Sequence, residues 1–169
     1  MHRYLQMFAA YNRWANTVVY DACEALSEAE YRTDKGAFFG SAHRTLNHLL
    51  VADRIWMKRM SGSGEAPDAL DTLLFDDRVV LRQARATEDQ RIIEWVDTLT
   101  DERLSAPFSY TPISNPTVIT HSMGPALLHM FNHQTHHRGQ LHTILTSLGK
   151  PSVTLDIISF LRGKGSQWM

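Results

Sequence analysis

The stretch HMFNHQTHHRGQLH, residues 129–142, holds five of the chain's nine histidines within an apolar segment. Histidine is neither a favoured core residue nor a strong helix former, so the crowding asks for a reason. On a helical wheel Ala126, Met130, Leu141, Ile144, Leu145 and Leu148 form one apolar face. His133 and His137 fall within that face, one turn apart, where i and i+4 side chains reach the same point. His129, His136 and Gln140 sit at its edge, and His142 lies outside it. The segment from 123 to 148 therefore reads as a long amphipathic helix, stopped by Gly149 and Pro151.

Working outward, residues 2–26 read as a first long helix, with Leu5, Phe8, Ala9, Val19, Cys23 and Leu26 on one side. Asn12 and Asn16 fall on that same side. Ser27 and Glu30 have the spacing of a capping box for a short turn. KGAFFGS, 35–41, reads as a loop, and Ser41 as the N-cap of a second helix that ends at SGSGEAP. A third helix is expected from about 71 to 99, supported by Leu74, Leu81, Ile92, Val96 and Leu99, with arginines and acids covering the rest. Residues 105–122 contain three prolines, which favour an extended excursion or loose hairpin over a helix. A short final helix is expected near 154–162. The pattern predicts an all-α protein, a four-helix bundle with a long irregular connection before the last long helix.

Composition narrows the function classes. At 169 residues, one domain over 1–169 is expected, large enough for a core without disulfides. A net charge of −1 gives no basic excess of the kind that points to nucleic acid. No apolar run approaches the roughly 20 residues needed to cross a bilayer, and MHRYLQMFAAYNRW has no secretory-signal pattern. Cys23 is alone, so no internal disulfide forms. These features lead to the expectation of a cytoplasmic protein with no nucleic-acid or membrane partner.

A third imidazole joins His133 and His137 from the second helix. His48 shares a stripe with Val51, Ala52 and Ile55, which turns it toward the interior, whereas His43 lies on a mixed face. Burying three imidazoles costs desolvation unless each finds a partner, and one divalent cation satisfies three lone pairs together. Imidazole suits zinc, nickel, copper or iron, so these residues do not choose the metal; zinc or nickel is the leading expectation, with iron, manganese or copper open. Three protein ligands leave a position for water or substrate, as in catalytic zinc sites. An HxxxH pair by itself is as often surface or hydrogen-bonded core histidine, and neither HExxH nor Glu-x-x-His is present.

Three segments together resemble the DinB family of metalloenzymes: YNRWAN at 11–16, TLNHLLVADRIWMKRM at 45–60 and NHQTHHRGQLHTIL at 132–145. The resemblance covers nearly the whole chain. It implies a four-helix bundle, often dimeric, with a three-histidine metal site whose ligands carry over onto His48, His133 and His137. It also implies chemistry akin to thiol-dependent transferases and isomerases that use mycothiol, bacillithiol or glutathione.

The leading expectation is thus a metal-dependent thiol S-transferase, with a low-molecular-weight thiol as cosubstrate and a small electrophile as substrate. A metal-activated hydrolase is one rival, weakened by the lack of a carboxylate beside the helix-four histidines. A non-catalytic metal-binding stress-response protein is another, favoured if His129 completes the coordination. Cys23 reads as inert core. Asn12 and Asn16 could orient ligands or satisfy each other. Asp53 reads as an arginine partner rather than a ligand, Gln140 as a rim hydrogen-bonder, and Gly139 as a point of close helix packing. Trp14 and Trp56 read as packing residues and Arg138 as solvated or ion-paired. Arg44 and Arg59 flank the His48 stripe and could receive an anion.

Overall fold

A computed structural model of the protein describes residues 1–113 and 115–169. Four long helices dominate it: α1 (His2–Glu24), α3 (Ala42–Ser61), α4 (Arg78–Asp97) and α6 (Met123–Ser147). Shorter helices α2 (Glu28–Arg32), α5 (Asp101–Ser105) and α7 (Ile157–Leu161) connect or follow them, and a 3₁₀ turn (Ser166–Trp168) ends the chain. Strands β1 (Pro107–Tyr110) and β2 (Ile119–Ser122) form an antiparallel hairpin, with Phe108 opposite His121 and Tyr110 opposite Ile119. No helix among the described residues is long and apolar enough to cross a membrane.

Local chemistry sets most of the boundaries. Ser27 and Glu30 form the reciprocal capping box that their spacing predicts. The Ser41 hydroxyl accepts from the Arg44 N–H to start α3. At the end of α6 the chain turns at Gly149, and the Lys150 N–H reaches back to the Leu145 carbonyl.

Three expectations need correction. The third long helix starts at Arg78, not near 71, because the Asp77 carboxylate accepts from the N–H groups of Val79 and Val80 at 2.8 and 2.9 Å. The residues before it are held elsewhere: the Phe75 N–H donates to Asn47 Oδ1, and its carbonyl accepts from Asn47 Nδ2 and His43 Nε2. The chain is also not strictly all-α. Pairing of 107–110 with 119–122 satisfies backbone that prolines keep out of a helix. Lastly, the charges of α4 do not all cover its outer side, since Arg85, Glu88 and Asp89 are buried.

Packing runs in a ring, with α1 and α3 each resting on both α4 and α6. Two large apolar regions fill the bundle, and a smaller one of Tyr11, Ala15 and Phe160 packs α7 against α1. Leu5, Met57, Val96, Met123 and Leu127 belong to one large region; Val19, Leu49, Leu81, Leu141 and Leu145 belong to the other. Each fully buried Leu or Met contributes about 1.5–3 kcal/mol relative to exposure. Between the two regions lies a buried polar layer contributed by all four helices. Arg85 stands 2.8 Å from Asp53 and 3.0 Å from Asp89. Arg138 donates to Asn12 and Asn16, and both asparagines donate to Asp89. Gln134 donates to Asp53 and to the Leu49 carbonyl.

Candidate metal centre

The histidine site lies beside this layer, between α3 and α6. His133 and His137 project from adjacent turns of α6, and His48 meets them from α3. The Nε2 atom of His133 stands 3.3 Å from that of His48 and 3.1 Å from that of His137. One ligand atom from each of the three rings lies within 4.8 Å of the others. For two nitrogens bound to one tetrahedral zinc, the separation expected from ordinary bond lengths is about 3.3 Å.

The other ring nitrogens decide what those Nε2 atoms carry. His48 Nδ1–H donates to the Leu70 carbonyl at 2.8 Å, and His137 Nδ1–H donates to Gln140 Oε1 at 2.8 Å. In the neutral tautomers so fixed, both Nε2 atoms are bare lone pairs. His133 can offer at most one proton to two waiting acceptors. Extra protons are disfavoured, because burial pushes His48 down to about 4 and His133 down to about 3, and lowers His137 as well. Among the described residues none of the three rings pairs with a carboxylate. Converging lone pairs without protons or acids between them are a donor set that fits a cation.

Phe39 closes one side of the group. Its ring stacks on His48 with centroids 3.8 Å apart and a 22° interplanar angle, and it also meets His137. It is carried by the loop before α3, where Ala37 and Gly40 form an isolated bridge. Gly40 has φ +77°, and a Cβ there would meet the Asp34 carboxylate at 3.0 Å, so both conformation and space call for glycine. Nothing in the periodicity of 35–41 pointed to this cover. The two phenylalanines between Gly36 and Gly40 are the only signal of it that the sequence carries.

Where α3, α6 and the segment 110–113 meet, a cavity of about 260 Å³ is lined by Trp56, Arg59, Tyr110, Ile113 and His129, with His133 itself in its wall. The hairpin thereby supplies part of the site, through Tyr110, Pro112 and Ile113. Tyr110 packs edge-on against Trp56 at 4.9 Å.

The remaining sequence candidates fall into clear places. His129 is exposed and packs on Trp56, outside the three-histidine group. His136 is also exposed; Gln140 Nε2 lies 3.3 Å from it. His43 is buried but committed to the Phe75 carbonyl and Arg32. Asn12 and Asn16 serve the polar layer and touch no histidine. Asp53 pairs with Arg85, as its position off the His48 stripe predicts. Gln140 is more than a rim residue, since it fixes the His137 ring. Arg138 is buried among asparagines and over the Tyr11 ring, not solvated. Gly139 has no close neighbour, which corrects the close-packing expectation. Arg44 is exposed, whereas Arg59 borders the cavity. Cys23 is buried and its thiol is pushed up to about 12. Trp56 packs in the core, and Trp14 packs on Phe160.

Comparison with known proteins gives the chain's family. The chain is 24% identical over 161 residues to the protein named DinB from Bacillus subtilis (strain 168), an alignment covering 86% of this chain and 87% of that one. The sequence profile of the DinB family matches residues 1–168. With nearly its whole length matched, the chain belongs to the DinB family.

Proposed function

We propose that His48, His133 and His137 bind one divalent transition-metal ion, zinc or nickel foremost, in a single four-helix-bundle domain spanning 1–169. The reading extends to a metal-dependent S-transferase that joins a low-molecular-weight thiol to a small electrophile. The observation that carries it is the convergence of three Nε2 atoms, two of them held bare by Nδ1–H donation to Leu70 and Gln140.

When bound, the ion supplies uncompensated positive charge that favours deprotonation of a coordinated thiol near neutral pH. The chain's own residues do the rest. The Leu70 carbonyl and Gln140 hold two imidazoles in register. Phe39 keeps water from one side of the rings. Trp56, Tyr110 and Ile113 offer apolar walls for the body of the electrophile. Cys23 takes no part, being buried as a thiol in the apolar region that contains Leu46 and Tyr31. A hydrolase would need a base next to the rings, and no carboxylate among the described residues pairs with them. A homodimer in the cytoplasm is part of the same reading.

The test uses tag-free protein purified without chelator or metal resin, beside His48→Ala. About one ion per chain, lost in the variant, supports the site. Turnover of a small electrophile only when a thiol is added supports the transferase. Turnover without thiol would favour hydrolysis instead, and metal binding without any turnover would favour a storage or sensing role.

A further inference from the structure

Arg59 is charged, half-buried and without an acid. Its guanidinium lies 5.1 Å from the ring centroid of Trp56 and 5.1 Å from that of Tyr110, so two aromatic rings hold it. Its Nη2 donates to the Thr111 carbonyl at 2.9 Å. No carboxylate among the described residues lies within ion-pairing distance of it. The other half-buried arginines of the long helices, Arg54, Arg78, Arg82 and Arg91, each have at least one. Burial lowers the Arg59 pKa, a cost that nothing acidic offsets.

Position gives this cation a use. Arg59 lines the 260 Å³ cavity that His133 also lines, and it lies eleven positions beyond His48 on α3, about three turns. It also borders a shallower outer groove with Lys58, Glu65 and Asp68, so the cavity's far end is reachable from solvent. A molecule lying in the cavity would have one end at His133, the member of the histidine group in its wall, and the other at a planar guanidinium. Guanidinium matches carboxylate in shape and charge.

We propose that this cavity binds an elongated substrate bearing a carboxylate, which pairs with Arg59 while the reactive end lies at the histidine cluster. The inference deepens the transferase reading and rests on it for the identity of the reactive end. The Arg59 contact itself does not depend on the metal. Either reactant could bring the carboxylate, the thiol or the electrophile.

Equilibrium binding separates these sources. The first probe pair is 5-phenylpentanoate against its amide, measured on metal-free and on zinc-loaded protein. The second is glutathione against its dimethyl ester, measured on zinc-loaded protein. Wild type should prefer the acid by about tenfold or more in at least one pair. Arg59→Met and Arg59→Gln should bring that preference close to one, with zinc content unchanged. Preference in the phenylpentanoate pair assigns the carboxylate to the electrophile, and if it survives in metal-free protein, direct coordination of the acid is not its cause. Arg59-dependent preference in the glutathione pair assigns it to the thiol. Equal binding of acid and neutral partner in both pairs overturns the proposal, as does a preference that persists in both Arg59 variants. Failure to bind zinc would sink the metal reading while the metal-free measurement still decides the fate of Arg59.

Discussion

His133 and Gln134 are neighbours on α6, yet their side chains enter two different polar regions. Gln134 joins a layer in which Arg85 and Arg138 stand against Asp53 and Asp89, with asparagines bridging. Two arginines face two carboxylates there within the chain, close enough to compensate one another. Burial nonetheless raises Asp53 to about 7, the Arg85–Asp53 contact is not aligned as a hydrogen bond, and Gln134 Oε1 has no partner. His133 joins a group whose members present the same kind of atom to each other. The ion layer is closed on itself, whereas the imidazole group is open and asks for something the sequence does not encode. Both regions bury polar atoms in the middle of the same helices, so burial alone does not mark function. What separates them is whether the donors, acceptors and charges cancel.

The sharpest way to break this contrast is to remove one member from each region. Arg85→Met should cost about 3–5 kcal/mol in chemical denaturation, since it leaves two buried carboxylates facing each other without their cation. His48→Phe should cost the metal-free protein less, because it strands no buried charge and leaves only the Leu70 carbonyl without its donor. If the two variants lose similar stability, the histidine group is as structural as the ion layer, and the distinction fails.

A second, smaller effect concerns the ion. Zinc at about one hundred times its dissociation constant should stabilise the metal-free protein by about 2.7 kcal/mol. For a chain of this size that is a rise in Tm of roughly 5–10 °C, absent in His48→Ala. Acid should work in the opposite direction. Burial holds folded His48 near 4 and His133 near 3, against 6.5 for the ordinary group. The unfolded chain therefore binds more protons below 6.5, and stability falls as pH drops from about 7 toward 4. A thermal scan of metal-free protein should show that decline, and His48→Phe should show less of it. A Tm that is flat across the window would mean these rings already share protons in the folded state.

Third comes the orientation of one ring. Gln140→Ala frees His137 Nδ1 from its acceptor and should weaken metal affinity about 10–100-fold while the fold persists. Competition against a chromophoric chelator measures it. An unchanged affinity would mean that packing by Phe39 and α6 fixes His137 without the amide.

These contrasts explain how far the sequence could be read. Helical period was enough to turn His48, His133 and His137 to one side, because burial of neighbouring leucines dictates the register. Ser27, Ser41 and Gly149 were legible because caps act over three or four residues. The start of α4 was not, because Phe75 is held by Asn47 and His43, 28 and 32 positions away. Leu74 looked helical only because it is apolar. Phe39 and the Leu70 carbonyl were invisible for the same reason: loops carry no period, and a backbone acceptor has no residue type. The pattern places Arg85, Glu88 and Asp89 at the surface although they are buried, since a wheel cannot tell a charge that meets its partner inside from one that meets water.

The smallest effect probes a third side of α6, which enters neither region. Gly139 has no heavy atom within 4 Å of where its Cβ would be, and it borders a groove of about 750 Å³ formed with α1 and the segment 152–157. Glycine within a helix costs roughly 0.5–1 kcal/mol relative to alanine, through backbone entropy. Gly139→Ala should therefore raise stability by about that amount and leave metal content unchanged. The outcome bears on assembly as well, because the resemblance that predicts a homodimer does not say which side is used. If alanine instead lowers the Tm, and lowers it more at high protein concentration, a second copy packs closely against this face. A rise that is independent of concentration leaves the face to solvent and moves the search for a dimer contact to another side of the molecule.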